Sequence, residues 1–460
     1  MRYLTADFGS TYTKLTAIDG NSRKIVGTAA AFTTIETHIG DGFRDALLAL
    51  EQNIGEPWLY DELVCCSSAA GGLKMVALGL VPELTSKAAR MAASSAGAKV
   101  VKTYAYEISK AEQHEIATIA PDLILLCGGT DGGNKEVILA NARRLIEIPG
   151  DFSIIVAGNK TASYELEEIL SAGNKSFIIT ENVMPEFNRL NIEPAKRCIM
   201  ELFISKIIEA KGLTSIQEMS RFKIVPTPYA VLNACNLLSL GTKQTPGIGD
   251  LMAIDLGGAT TDVYSIAKGE PTMESIMLKG IPEPYSKRSV EGDLGMRYSL
   301  IPLLEQADSY KLSLEAEVEE TELVHWVKSC TDTPDTLASN EREVRMEEAL
   351  ARAAVRIAME RHCGTLAKVY TPMGELFTLN GKDLTQVPFV LGIGGAILNS
   401  PNPKEVLKGA LYDPMRYESA KPKKPAFLLD KRYIMASMGL LSSADPELAL
   451  ELMKKEVVTL

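Results

Sequence analysis

Leu4–Ile18 reads LTADFGSTYTKLTAI and Met252–Ile266 reads MAIDLGGATTDVYSI, the same pattern at an offset of 248 residues. Asp7 falls on Asp255, Gly9 on Gly257, Thr13 on Thr261 and Ile18 on Ile266. Each stretch is an apolar run ending in an Asp, then a glycine-containing turn rich in hydroxyls, then a return strand. Glycine lets the backbone approach an oxygen closely, and turn N–H groups point at it. A hairpin of this kind can hold a phosphate chain, and two facing each other would clamp one.

The residue types fit that chemistry. Gly9, Ser10 and Thr11 supply the first turn, and Gly257, Gly258 and Thr260 the second. The hydroxyls of Ser10, Thr11, Thr13 and Thr260 add donors, and Lys14 can reach a phosphate as a point charge. Asp7 and Asp255 would be repelled by a phosphate. Their expected role is to hold Mg²⁺ through water, since that ion keeps several waters and takes one or two carboxylates. Asp262 is a further candidate for the metal or the attacking water. A third piece, VLGIGGAILNSP at 390–401, is a strand running into Gly392, Gly394 and Gly395 before a helix, a flat floor for a base or ribose. Either hairpin alone could be a plain β-turn with polar residues. The three in this order carry the reading.

At 460 residues the chain exceeds one ordinary domain core. Hydrophobic residues make up 46% and charged residues 23%, as in a globular protein. The net charge of −11 argues against non-specific nucleic-acid binding. The first residues enter YLTADFG with no apolar targeting region, and no apolar run is long enough to span a membrane. The seven cysteines are scattered without a CxxC pair, which argues against a disulfide framework or zinc site. A reduced cytoplasm is the expected home.

The rhythm of the chain suggests a nested organisation. Residues 1–72 with 226–249 read as one domain, strands first. Residues 73–225 read as an inserted α/β domain. There LILLC at 123–127, the run at 154–156 and that at 177–179 alternate with helical stretches, a parallel sheet with crossovers. Its GGTDGG loop at 128–133 is either a glycine-rich turn or a ligand loop at a strand end. Residues 250–460 read as the second domain, with a helical insertion near 295–385. The charge-laced EREVRMEEALARAAVRIAMERH suggests a solvated helix face, and KPKK at 421–424 a solvated loop. In EGDLGM at 291–296, Glu291 and Asp293 either contact ribose or a metal or, the favoured reading, cap a helix.

The motifs resemble those of the actin, Hsp70 and sugar-kinase superfamily. DFGSTYTK is similar to its first phosphate motif, DLGGATTD to its second and VLGIGGAILNSP to its adenosine motif. The resemblance implies an α/β fold of two ribonuclease-H-like (actin/Hsp70-type) domains around a nucleotide cleft holding ATP or ADP and Mg²⁺. PTPYAVLNACNLL resembles the first connecting helix, with one departure. Hsp70 has a glutamate at its start, where this chain has Pro226 or Thr227. A strong base for the hydrolytic water is therefore missing, which implies a slow Mg-dependent ATPase. A small-molecule kinase and an actin-like scaffold ATPase stay open as alternatives.

A longer resemblance covers nearly the whole chain. CSSAAGGLKMVALGLVPELTSKAAR, LCGGTDGGNKEVILANA, ENVMPEF, IDLGGATTDVYS and VEGDLGMRYS are similar to the MutL/GlmL family. These are accessory proteins of adenosylcobalamin-dependent glutamate (methylaspartate) mutase, unrelated to the mismatch-repair protein of similar name. The resemblance implies a chaperone-like reactivating factor that releases damaged cobalamin. Its partners would be the mutase subunits and ATP, with no nucleic acid or membrane, and a homodimer is compatible with it. No D-x-H-x-x-G motif occurs, so direct cobalamin ligation by a histidine of this chain is not expected.

Overall fold

β1 (Arg2–Phe8) runs antiparallel to β2 (Tyr12–Asp19), and β2 runs antiparallel to β3 (Lys24–Phe32). After α1 (Ile39–Ile54), β4 (Glu62–Ser67) returns parallel to β1. Almost every residue of β1 is buried, with Leu4, Ala6 and Phe8 in the core and the polar Thr5 and Asp7 at the alternate positions. The computed structural model describes all residues except 10–11, 35–38, 69–73, 274 and 373.

A second sheet follows within the same part of the chain. It comprises β5 (Lys74–Gly79), β6 (Lys99–Ala105), β7 (Leu123–Leu126), β8 (Ser153–Val156) and β9 (Ser176–Ile179). All its pairings are parallel, in the order β6-β5-β7-β8-β9, as the alternation of apolar runs and helices requires. Its crossovers are α2 (Lys87–Ser95), α3 (Lys110–Ile119), α4 (Glu136–Ile146) and α5 (Ser163–Ala172). One face packs Val76, Ile124, Ile154, Ile138 and Leu166 into a core of its own. The other face shares a core with the first sheet, where Met75, Ala77 and Leu125 join Leu4, Phe8, Leu15 and Leu63. α2 and α6 (Glu193–Lys211) contribute Ala89, Ala92, Ala195 and Ile199 to that shared core. After α7 (Thr214–Met219), β10 (Val225–Pro226) adds to the edge of β4 and leads into α8 (Thr227–Leu240).

The rest of the chain repeats the first sheet. β11 (Leu251–Leu256) and β12 (Thr261–Ile266) form the hairpin. β13 (Ile276–Leu278) is diverted elsewhere, and β14 (Ser286–Glu291) takes the third place. Four helices follow: α9 (Leu300–Ala307), α10 (Ser309–Ala316), α11 (Glu320–Asp332) and α12 (Glu341–His362). β15 (Thr365–Thr371) and β16 (Gly374–Asn380) make a small sheet with β13. β17 (Phe389–Ile393) then pairs parallel to β11, and after α13 (Gly395–Leu398) and α14 (Pro403–Leu407), β18 (Ala426–Leu429) pairs parallel to β17. α15 (Met435–Leu441), α16 (Pro446–Glu456) and β19 (Val458–Thr459) complete the chain. The orders β3-β2-β1-β4-β10 and β14-β12-β11-β17-β18 have the same pattern of directions. The fold is thus α/β, with two ribonuclease-H-like sheets and one additional parallel sheet. The contacts divide it into two units, Met1–Ala230 with Gly280–Pro282, and Val231–Lys279 with Glu283–Leu460.

Two expectations are corrected by burial. The charge-laced α12 is not chiefly a solvated face: Met346, Leu350, Val355, Met359 and a run of alanines between them are buried against β11 and β12. Small alanines hide that apolar stripe in a segment rich in Glu and Arg. In KPKK, Lys421 is 1% exposed, with its amine 3.7 Å from Glu360, while Lys423 and Lys424 are exposed as expected.

A buried polar group sits against β12 and β14. His362 meets the Ser289 hydroxyl at Nδ1 (2.7 Å) and the Ser265 hydroxyl at Nε2 (2.8 Å). Lys382, 1% exposed, donates to the Tyr285 carbonyl at 2.7 Å. Burial holds His362 well below the usual imidazole range and, with Lys287 adding to it, pushes the Lys382 amine down to about 7. Below pH 7 both folded and unfolded chains carry the Lys382 charge, and the folded state bears the whole cost. Between about pH 7 and the ordinary lysine value of 10.5 the unfolded chain binds the extra proton, so this group makes stability rise with pH. Lys382→Met is expected to flatten the rise of the urea midpoint between pH 7 and 10; an identical slope in the variant would contradict a neutral buried amine.

Candidate functional site

The repeated hairpins agree in register as well as in residue type. In the first, Leu4 pairs with Ala17, Asp7 with Lys14 and Phe8 with Thr13. In the second, Met252 pairs with Ser265, Asp255 with Asp262 and Leu256 with Thr261. Every pair maps at the same offset of 248 residues. So do the closing bonds, Gly9 N–H to the Tyr12 carbonyl at 3.0 Å and Gly257 N–H to the Thr260 carbonyl at 2.9 Å. Ser10 and Thr11, expected to donate from the first turn, lie outside the described residues.

Side-chain alternation then sorts the candidates. Asp7 and Lys14 are opposite each other and share a face. Thr13 lies on the other face with Phe8, fully buried, and its hydroxyl is 3.1 Å from that of Thr33. Thr13 therefore leaves the set of phosphate donors, because a one-residue step along a strand reverses the face. Its counterpart Thr261 is likewise buried and donates to the Leu294 carbonyl at 2.5 Å.

The place held by Lys14 in the first hairpin belongs to Asp262 in the second, and a cation is supplied from the neighbouring strand. Arg288 on β14 donates to Asp262 Oδ1 through Nε at 2.7 Å, with Nη2 at 2.6 Å from the same oxygen. Both side chains are buried. Burial disfavours the guanidinium charge, and the Asp262 carboxylate more than restores it, so Arg288 stays above its ordinary value. Asp262 Oδ2 faces the Thr260 hydroxyl at 3.4 Å.

Asp7 has a comparable support. The Thr227 hydroxyl donates to its Oδ1 at 2.6 Å, and the Cys66 thiol at 3.3 Å. Burial first, then the Asp7 charge, pushes Cys66 well above the usual thiol range, so it remains a donor. Thr227 opens α8, where the Hsp70 pattern has a glutamate. Its hydroxyl is engaged by Asp7. Sequence reading marked Thr227 only as an absence, and missed Cys66 and Arg288. Their roles follow from strand pairings, Cys66 with Asp7 and Arg288 with Tyr264, that no local pattern reveals.

The glycines separate into two groups. A Cβ on Gly9 would lie 2.6 Å from the Tyr12 carbonyl oxygen, one on Gly392 would lie 2.9 Å from Ile397, and one on Gly394 (φ +91°) would lie 2.4 Å from the Leu256 carbonyl oxygen. These three are required by the chain's own packing. At Gly257 the approach to the Thr260 oxygen is tight, at 3.2 Å. Gly258 has only ordinary contacts at 3.8 Å and beyond, and Gly395 only Asn399 at 3.6 Å. The fold does not demand glycine at either position, which suits a place where backbone meets a ligand. The turn carrying Gly258 is fixed from behind: Met296 N–H donates to the Gly257 carbonyl at 3.0 Å and Arg297 N–H to the Gly258 carbonyl at 2.8 Å. Gly295 allows this approach, since a Cβ there would lie 2.4 Å from the Ala259 backbone.

Two other expected elements resolve differently. Glu291 and Asp293 do not cap a helix. Both bind Arg361, at 2.6 and 2.8 Å, and α9 starts later, after Ser299. The GGTDGG loop is tied by Asn159, which accepts from Gly132 N–H and donates to the Gly133 carbonyl, and by Asn182, which donates to the Gly129 carbonyl and Asp131. Among the described residues no group of three or more His, Cys, Asp or Glu is placed to hold a metal.

Gly9→Ala and Gly394→Ala are each expected to destabilise the protein by about 1–3 kcal/mol. Gly258→Ala and Gly395→Ala should stay within about 0.5 kcal/mol of the parent. Urea denaturation of the four variants checks this, and equal losses in all four would abolish the distinction.

Comparison with known proteins fits this arrangement. Residues 3–457 match the family model described as "MutL protein". The chain is 45% identical over 457 residues to "Protein MutL" of Clostridium tetanomorphum, covering 99% of both chains. Among solved structures it aligns with gluconate kinase from Lactobacillus acidophilus (10% identity, 100% of this chain and 92% of that one, TM-score 0.37). It also aligns with ROK hexokinase from Thermus thermophilus (13% identity, 99% of each, TM-score 0.30). Those two scores are too low to add anything to the strand order. No helix among the described residues is long and apolar enough to cross a membrane. By full-length sequence match, the chain belongs to the MutL family.

Proposed function

We propose that this protein is a slow, Mg²⁺-dependent ATPase that reactivates an adenosylcobalamin-dependent mutase by promoting release of damaged cobalamin. The observation that carries the nucleotide part is the coincidence of the two hairpins in residue type, register and turn closure, each placing a carboxylate next to a turn. The second turn adds Gly258, whose lack of a side chain the fold does not require. The mutase part rests on the family resemblance.

The residues present fit the expected cofactors. Two separate carboxylates, Asp7 and Asp255, suit an ion that keeps most of its waters and takes the rest of its ligands from a nucleotide phosphate, better than they would suit an ion caged by protein alone. Mg²⁺ when bound would neutralise phosphate charge. Turn N–H groups around Gly257 and Gly258 bind phosphate oxygen, and Lys14 screens charge beside Asp7. Gly395 leaves room for the base or ribose. Thr227 orients Asp7, and Arg288 orients Asp262 near the attacking water. A threonine hydroxyl is a poor base, so hydrolysis is slow and the nucleotide acts as a timed switch.

Asp7→Asn and Asp255→Asn should each abolish Mg²⁺-dependent ATP turnover with little loss of stability, and unchanged turnover in both would remove the nucleotide reading. Thr227→Val should lower apparent Mg²⁺ affinity or turnover by about 10–100-fold, as when the hydrogen-bond support of a ligating carboxylate is lost. For the client, a glutamate mutase inactivated with cyanocobalamin is mixed with the protein and ATP, ADP or a non-hydrolysable analogue. Cobalamin release dependent on nucleotide is expected, and none under any nucleotide would sink the reactivase role. ATP-dependent sedimentation or phosphate transfer to an added small molecule would point to a scaffold or a kinase instead.

A further inference from the structure

A cavity of about 360 Å³ opens in the second unit, walled by the end of α9, the start of α10, the last turns of α12 and Arg416. Its volume lies within the range of small-molecule sites and equals roughly a dozen water volumes. Ala307 and Ile357 give it a buried apolar floor.

Its charges are unevenly paired. Glu360 accepts from Arg416 at 2.9 Å through both oxygens, and the buried Lys421 amine lies 3.7 Å behind it. Asp308 is taken by Lys311, at 3.2 Å, and accepts from the Lys311 backbone N–H at the start of α10. Arg361 is committed to Glu291, Asp293 and Gln306. Arg356 remains. It is half-buried, one helical turn before Glu360, the partner that i,i+4 spacing would give it. Arg416 and Lys421 have claimed that carboxylate. Among the described residues the Arg356 guanidinium has no hydrogen-bond or ion-pair partner. A half-buried fork of five N–H donors without an acceptor, beside an apolar floor, is an incomplete arrangement, and the group that completes it is a planar or tetrahedral oxyanion.

We infer that this cavity binds a small organic anion, its carboxylate or phosphate group on Arg356 and its body against Ala307 and Ile357. The site is connected to the second hairpin. Glu291, held by Arg361 at the cavity rim, is the register partner of Thr261, next to the turn residue Thr260. Asp293, held by the same guanidinium, lies two residues before Gly295, which packs on that turn.

The test is calorimetric titration of the full chain with inorganic phosphate and, separately, with succinate at matched ionic strength. Phosphate could also enter the proposed nucleotide turn, so the titrations use Gly258→Val protein, in which that turn is filled. At least one anion is expected to bind, and Arg356→Gln in the same background should weaken it about tenfold, the loss of one charge-assisted pair. Arg356→Lys, which keeps the charge but not the fork, should recover part of the affinity. Phosphate alone binding would mark a phosphoryl ligand, and succinate alone a carboxylate. No binding by either, or binding unchanged by Arg356→Gln, overturns the site. The nucleotide reading is judged independently, by ATP binding to the parent, which Arg356→Gln should leave intact.

Discussion

One backbone hydrogen bond closes each hairpin, from Gly9 N–H to the Tyr12 carbonyl and from Gly257 N–H to the Thr260 carbonyl. That closure fixes the register of everything beyond it. Because strand side chains alternate, a shift of one residue would exchange the faces of Asp7 and Phe8. The carboxylate at the strand end, the charged residue opposite it and the glycine at the bend all depend on this one geometric choice, made twice in the chain.

The two hairpins solve the same electrostatic problem by different means. A buried carboxylate needs a positive group or a donor to hold it. The first hairpin has Lys14 across the ladder from Asp7, with Thr227 and Cys66 as donors. The second has an acid, Asp262, in the lysine's place and recruits Arg288 from the third strand. Pairing a buried aspartate with a bidentate-capable arginine is a geometry-sensitive arrangement, and it restricts Asp262 to one orientation. The second turn is further held by the backbone N–H groups of 296–298.

The legible parts of the chain were those governed by local rules. The hairpins, the apolar strands of the parallel sheet and the proline-opened helix α8 follow from composition and periodicity. What was missed depended on neighbours distant in sequence. α1 was hidden because IGDGFRDALLALEQNI opens with two glycines among strand-rich surroundings, although Phe43, Ala46 and Leu50 lie at helical spacing. The burial of α12 was masked because alanine contributes little to an apolar pattern. Lys421 and Lys382 could not be identified as buried, since a lysine's burial is set by which carboxylates and carbonyls the fold brings to it. Glu291 and Asp293 read as caps because their partner, Arg361, is about 70 residues away.

The sequence by itself determined that Asp-Gly hairpins occur twice, that a third glycine-rich strand end follows them, and to which family the chain belongs. These are properties of residue order, and residue order is enough when the physics is local. Only the tertiary structure decided which of the candidates can work together. It turned Thr13 into the core, gave Asp262 to Arg288 and Asp7 to Thr227, and showed that Gly9 and Gly394 serve the fold while Gly258 and Gly395 are in excess of its needs. The reason is that a strand's register, and the strand laid beside it, set the face and partner of every side chain, and both are fixed only when the sheet is assembled.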